Sequence, residues 1–169
     1  KAPPDGYTLL MGSSGPLAVN PSLFPDLPYA TLRDLAPITM VAIVPSILAV
    51  HPSIPARSVK QLVALAKANP GKLNFSSSGN GGSGHLAGEM FNLMAGVKMI
   101  HIPYRGTGPS VVGLLSGEVS LSFENMLSLL AYVKDGRVRG LAVTSVKRSQ
   151  AVPELPTIAE AGLPGYSAG

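Results

Sequence analysis

The residues with the most chemical promise form one run, Ser76-Ser77-Ser78-Gly79-Asn80-Gly81-Gly82-Ser83-Gly84-His85. It follows a predicted strand and opens a predicted helix. Glycines let the backbone turn tightly, so several N–H groups can point at one anion, and the helix dipole adds attraction. Ser78 and Ser83 bring hydroxyl donors, and Gly82, Gly84 and His85 stand at the helix start, with His85 as a ligand donor or a neighbour of the cap. Gly79, Gly81 and Gly84 also match G-x-G-x-x-G. A dinucleotide site asks in addition for an acid about 20 residues further on. That place holds His101-Ile102-Pro103-Tyr104-Arg105, with no acid, although Arg105 is able to face a 2′-phosphate. A P-loop is excluded, because no Lys-Ser or Lys-Thr follows. Three readings stay open here: an anion site, an NADP-binding oxidoreductase domain built on residues 79–84, and a structural turn.

Three further polar loops follow predicted strands. They are Gly12-Ser13-Ser14-Gly15 with Asn20 nearby, Tyr104-Arg105-Gly106-Thr107-Gly108, and Glu124-Asn125. Each alone reads as a plain loop. Four small polar loops at four strand ends converge on one cleft. The candidate ligand-binding residues are therefore Ser13, Ser14, Asn20, Ser78, Gly82, Ser83, Gly84, His85, Tyr104 and Asn125. Catalytic and metal sets are weak. His51, His85 and His101 lack ligand spacing, and His101 reads as a structural strand residue. No G-x-S-x-G elbow occurs. Only nine acids are present, and Glu89 and Glu118 read as solvated. The chain is expected to bind rather than to catalyse, with no cofactor.

The elements that must position these loops are legible from Ser58 onward. Ser58-Val59-Lys60-Gln61 is a capping box, followed by Val59, Leu62, Val63 and Ala66 on one apolar face. The pattern predicts helices over 83–95 (Leu86, Met90, Leu93 and Met94 inward), 109–115, 125–134 and 156–161. It predicts strands over 73–77, 99–102, 119–123 and 140–144, with Gly96 and Asp135-Gly136 as stops. Before Ser58, Tyr7–Met11 reads as a short buried strand, and residues 38–50 as two extended stretches either side of Pro45. Five prolines between 16 and 37 forbid long elements there. Strands alternating with helices make the fold class α/β with a mostly parallel sheet, whose ligands bind at the strand carboxyl ends.

Composition agrees. In 169 residues, 46% are hydrophobic, which supports a sizeable core and excludes disorder as the main state. No apolar run reaches the ~18 residues of a membrane span. The net charge is +4, but lysines and arginines are scattered, aromatics are 5% and tryptophan is absent. That excludes a nucleic-acid surface and suits small anions. Cysteine is absent, so there is no disulfide or thiol chemistry, which fits cytoplasm and periplasm equally.

A family resemblance rests on segments spread along the whole chain in order. They are Pro4-Asp5-Gly6-Tyr7-Thr8-Leu9-Leu10, Asn20-Pro21-Ser22-Leu23-Phe24, Asn74-Phe75-Ser76-Ser77-Ser78-Gly79, His85-Leu86-Ala87-Gly88-Glu89, His101-Ile102-Pro103-Tyr104-Arg105-Gly106, Leu141-Ala142-Val143-Thr144-Ser145 and Val152-Pro153-Glu154-Leu155-Pro156-Thr157-Ile158. Together they resemble the Bug-type receptors, the extracytoplasmic solute-binding proteins of tripartite tricarboxylate transporters. The resemblance implies a type II periplasmic-binding-protein-like fold of two α/β domains, truncated here at both ends. Residues 1–45 would be a partial first domain with a crossing strand, and residues 46–169 the second, ligand-binding domain. It implies a periplasmic location, membrane subunits as partners and a small carboxylate as ligand: a di- or tricarboxylate, an acidic amino acid or a related acid. The first piece is then expected to be loosely packed, or paired with another chain through its strand edge. Glu124 stands where the family often has Asp.

Overall fold

The computed structural model describes residues 2–168. The chain divides into two compact units, the first ending at Thr39 and the second starting at Met40.

The first unit has only short elements, as its prolines dictate. A π-helical turn, Gly15–Val19, runs into α1 (Asn20–Leu23), and α2 is Thr31–Asp34. None of these three buries a residue. The strand expected over Tyr7–Met11 is not formed, and Tyr7, Leu9, Leu10 and Met11 are exposed. A strand needs a neighbour to take its N–H and C=O groups, and the first unit has no strand among its described residues.

The second unit is a five-stranded sheet with helices on both faces. Its strands are β1 (Ser46–Val50), β2 (Asn74–Ser77), β3 (Ile100–Pro103), β4 (Leu121–Asn125) and β5 (Arg139–Val143), in the order β3-β2-β4-β1-β5. β2 pairs parallel with both β3 and β4, while β1 is antiparallel to β4 and to β5. Four strands thus point one way, and β1 runs against them between β4 and β5. Alternation of strands and helices forecasts the four, but not the reversed one, because nothing in the run Ser46-Ile47-Leu48-Ala49-Val50 encodes direction. All five β1 residues are buried, as suits a central strand. Of the two stretches expected over 38–50 only this one is a strand; Met40, Val41, Ile43 and Val44 are exposed.

One face carries α3 (Val59–Ala68) and α4 (Ser83–Ala95) over Leu48, Val50, Phe75, Leu121 and Phe123. The other carries α5 (Thr107–Ser116) and α6 (Met126–Lys134) over Ile47, Ala49 and Val143. The cap of α3 forms as predicted at one end: Gln61 N–H donates to Ser58 Oγ at 3.2 Å. Gln61 Oε1 reaches one residue further than the box requires and accepts from Arg57 N–H at 2.7 Å.

α4 has the predicted bounds but the opposite face inward. Its buried residues are Gly84, Ala87, Gly88, Phe91 and Ala95, while Leu86, Leu93 and Met94 are exposed and Met90 is half-buried. The small face wins because it allows close approach. A Cβ on Gly88 would lie 2.1 Å from the Phe75 ring, and one on Gly84 would lie 2.2 Å from the Phe123 carbonyl oxygen. The helix expected over 156–161 is a run of turns instead. There the backbone bonds to the end of β5, Val143 N–H to Pro156 O at 2.9 Å and Ile158 N–H to Val143 O at 3.0 Å. Those bonds hold the entry extended. The tail then returns over α4, where the buried Tyr166 donates its hydroxyl to Ala87 O at 2.8 Å.

Candidate functional site

The carboxyl ends of β2, β3, β4 and β5 share one edge of the sheet with the start of β1. Backbone bonds tie the loops of this edge together. Tyr104 N–H donates to Ser77 O and Gly106 N–H to Ser78 O, each at 3.0 Å. Met126 N–H donates to Pro45 O, and Thr144 N–H to Ser46 O, also at 3.0 Å. Ser46 N–H in turn donates to Thr144 Oγ1 at 3.0 Å.

At this edge α4 begins. Its N-cap is Gly82, with extended backbone and no side-chain cap. The first turn of a helix leaves its N–H groups without intrahelical acceptors, so Ser83, Gly84 and His85 present theirs at the end of the helix dipole. Ser83 is exposed beside Gly82, and Ser78 is half-buried in the preceding loop. The loop is held from inside. Ser77 Oγ accepts Gly79 N–H at 3.2 Å and donates to Gly79 O at 3.0 Å. Gly82 N–H donates to Gly79 O at 3.3 Å, and Gly81 N–H donates to His85 Nδ1 at 3.0 Å. His85 stacks on His101 with centroids 3.9 Å apart, and His101 stacks on Phe75 at 5.0 Å. His101 Nε2 and Ser77 Oγ share a hydrogen bond of 2.7 Å. Burial, with the neighbouring His85 ring second, pushes His101 down to about 4, so it is neutral at pH 7.

Of the other helix starts at this edge, that of α6 is capped. Asn125 Oδ1 caps α6 by accepting Leu127 N–H at 2.9 Å. α5 opens with Gly106 and no side-chain cap, and the Oε1 of the buried Glu124 has no hydrogen-bond partner. Burial pushes that carboxyl above its ordinary value, and the Ser110 and Thr107 hydroxyls and the Asn125 N–H pull it part of the way back. α4 and α5 thus both start without a side-chain cap, and α5 has the buried Glu124 close by.

The structure brings Ser78, Gly82, Ser83, Gly84 and His85 together on one loop and helix start. His85 spends Nδ1 inside the loop rather than offering it to a ligand. Tyr104 joins the edge only through its backbone; its ring packs over Gly113 of α5, where a Cβ would sit 2.3 Å from the hydroxyl. Asn125 lies at the edge and acts as a cap. Ser13, Ser14 and Asn20 belong to the first unit: Ser13 O accepts Leu17 N–H at 3.2 Å, Ser14 precedes the π-turn, and Asn20 opens α1. Sequence reasoning had Ser77 within the run and His101 as a structural residue, but missed the bond and the ring stack by which they hold the loop. Their signal lay in the register, which sets Phe75 opposite His101, and no spacing along the chain encodes it.

Residues 1–168 match the family described as tripartite tricarboxylate transporter family receptor. The chain belongs to this family. It is 44% identical over 169 residues to protein BugT of Bordetella pertussis, covering 99% of this chain and 52% of that one. It is 43% identical over 167 residues to a protein from the tcbD-tcbE intergenic region of a Pseudomonas strain, covering 98% of this chain and 49% of that one. The chain thus spans about half the length of the curated relatives it matches. Among solved structures it superposes with a TM-score of 0.92 on an R. palustris protein determined with adipate, at 38% identity, covering 99% of this chain and 56% of that one. A second, MatC from Rhodopseudomonas palustris with bound malate, gives 0.82 at 25% identity, covering 90% and 52%. The family is one of solute-binding receptors and not of enzymes, so the oxidoreductase reading of Gly79, Gly81 and Gly84 is set aside. Among the described residues no helix is long and apolar enough to cross a membrane.

Proposed function

We propose that this receptor chain captures a small carboxylate in the periplasm and delivers it to the membrane subunits of a tripartite tricarboxylate transporter. One observation carries the reading. The start of α4 is an uncapped set of backbone donors under a Gly/Ser loop, at the carboxyl edge of the sheet. Such donors recognise carboxylates generically, with no dedicated cation. The adipate and malate bound by two structural neighbours are small carboxylates of the class these donors suit. A carboxylate oxygen would lie against the N–H groups of Ser83, Gly84 and His85, with the Ser83 and Ser78 hydroxyls beside it. No bond is made or broken; capture is binding alone, and release follows from losing those contacts.

The test is calorimetric titration with adipate and with malate, each compared with its diamide. The carboxylates bind and the diamides do not. Ser83→Ala removes one charge-assisted donor and weakens binding by about 1–2 kcal/mol, roughly five- to thirtyfold in Kd. An unchanged Kd takes Ser83 out of the site. Equal binding of the diamides refutes carboxylate recognition.

A further inference from the structure

The two histidines at this edge are not where a ligand-donating role would put them. His85 Nδ1 accepts the Gly81 N–H at 3.0 Å, which requires that nitrogen to be unprotonated. His101 reaches the other end of the same loop, because Ser77 Oγ bonds both to His101 Nε2 and to the N–H and C=O of Gly79. The rings face each other at 3.9 Å and 14°, and Phe75 closes the far side of His101. Gly79 and Gly81 both have positive φ, 145° and 73°, so the loop backbone holds an unusual shape pinned at two points by side chains.

We propose that His85 is a positioning residue of the binding loop: its imidazole, stacked on His101, accepts the Gly81 N–H and so fixes Gly81 and with it the loop over the start of α4. A side chain with no acceptor at this place leaves the Gly81 N–H without that bond, whereas an amide oxygen in the place of Nδ1 keeps it. His101, held between the His85 and Phe75 rings and bonded to Ser77 Oγ, sets the plane in which the His85 ring lies.

So far as it concerns a ligand, the inference rests on reading this loop as the carboxylate site. The experiment therefore begins without one. In the intact protein, amide exchange of Gly81 at fixed pH reads the lock. His85→Ala loses about five- to tenfold of that protection, the worth of one hydrogen bond. His85→Asn supplies an amide oxygen near the place of Nδ1 and restores it. The proposal is overturned if His85→Ala leaves Gly81 unchanged, or if Gly81 in His85→Asn exchanges as fast as in His85→Ala. An adipate titration then separates the two claims. Adipate affinity that falls in His85→Ala and recovers in His85→Asn supports both. A lock that behaves as stated in a protein that ignores adipate overturns the carboxylate reading alone. Adipate binding indifferent to His85→Ala overturns the positioning role alone.

Discussion

Gly84 and Gly108 occupy the same place, the second residue of α4 and of α5, and neither has positive φ. Replacing either by alanine removes conformational freedom from the unfolded chain and favours folding by about 0.4–1 kcal/mol. The two surroundings differ. A Cβ at Gly108 meets nothing within 4 Å, whereas at Gly84 it lies 2.2 Å from the Phe123 carbonyl oxygen and 3.3 Å from Ser77 Cβ. An ordinary contact begins at 3.4 Å, so the start of α4 must retreat by about 1 Å from a close-packed neighbour. Neither neighbour yields easily, since Phe123 in β4 and Ser77 in β2 are both fully buried. Overpacking of this kind costs about 1–3 kcal/mol. Subtracting the entropic gain leaves Gly84→Ala destabilised by up to about 2.5 kcal/mol, while Gly108→Ala is stabilised by up to about 1 kcal/mol. Urea melts of both variants read the signs directly. At roughly 2–4 °C per kcal/mol for a chain of this size, thermal melts move in opposite directions. Because the retreating atoms are the proposed ligand donors, adipate affinity falls in Gly84→Ala and is unchanged in Gly108→Ala. A Gly84→Ala protein as stable as Gly108→Ala would refute the close approach on which the geometry of the site depends.

Asn125→Ala removes the α6 cap and costs about 1 kcal/mol, with Asn125→Ser recovering most of it, as read by urea midpoint. Glu124 has its carboxyl raised by burial, so its contribution is fully present below the unfolded value and is lost as pH rises through the folded one. Glu124→Gln should therefore gain on the wild type between pH 4 and pH 8 when the two are melted side by side; a constant difference would show that the carboxyl does not titrate in that window. Phe91→Ala empties a fully buried position of α4 and costs about 3–5 kcal/mol. Leu93→Ala, 83% exposed on the same helix, stays within about 0.5 kcal/mol. Equal losses would restore the inward face expected from the large apolar residues.

That reversal in α4 marks where sequence reasoning stopped. Hydrophobic spacing found the helix and both its ends, because Gly82 and Gly96 punctuate it and the period is clear. It ranked Leu86, Leu93 and Met94 inward because large apolar residues bury the most surface. The packing decided otherwise, through Gly84, Ala87 and Gly88, whose small size is information only once Phe75 and Phe123 are known to stand opposite. The direction of β1, the loss of the strand at Tyr7–Met11 and the turns at 156–161 share that cause. Each is set by which backbone lies alongside, a fact carried by distant residues such as Val143 and absent from the local pattern. The loop proposed to bind the ligand stood out in the sequence because its chemistry is local: glycines, hydroxyls and a helix start within ten residues. The His85–His101 stack did not, since its partners lie on different elements, α4 and β3, and no spacing along the chain encodes their meeting.

The same reasoning accounts for the dinucleotide pattern at this loop in a chain whose family binds solutes. Gly79 and Gly81 hold φ of 145° and 73°, which L side chains rarely adopt, and Gly84 is jammed against β4. All three glycines are required by the passage from β2 through a tight turn into a helix packed hard on the sheet, whatever the anion. What a dinucleotide would add is an acid at the end of the next strand, to take the ribose hydroxyls. Here β3 ends in Pro103, and the Tyr104 ring that follows is folded back over Gly113. The motif thus records the shape of a tight strand-to-helix passage, and on the carboxylate reading proposed above it is the residues at the end of the neighbouring strand that keep a nucleotide from using it.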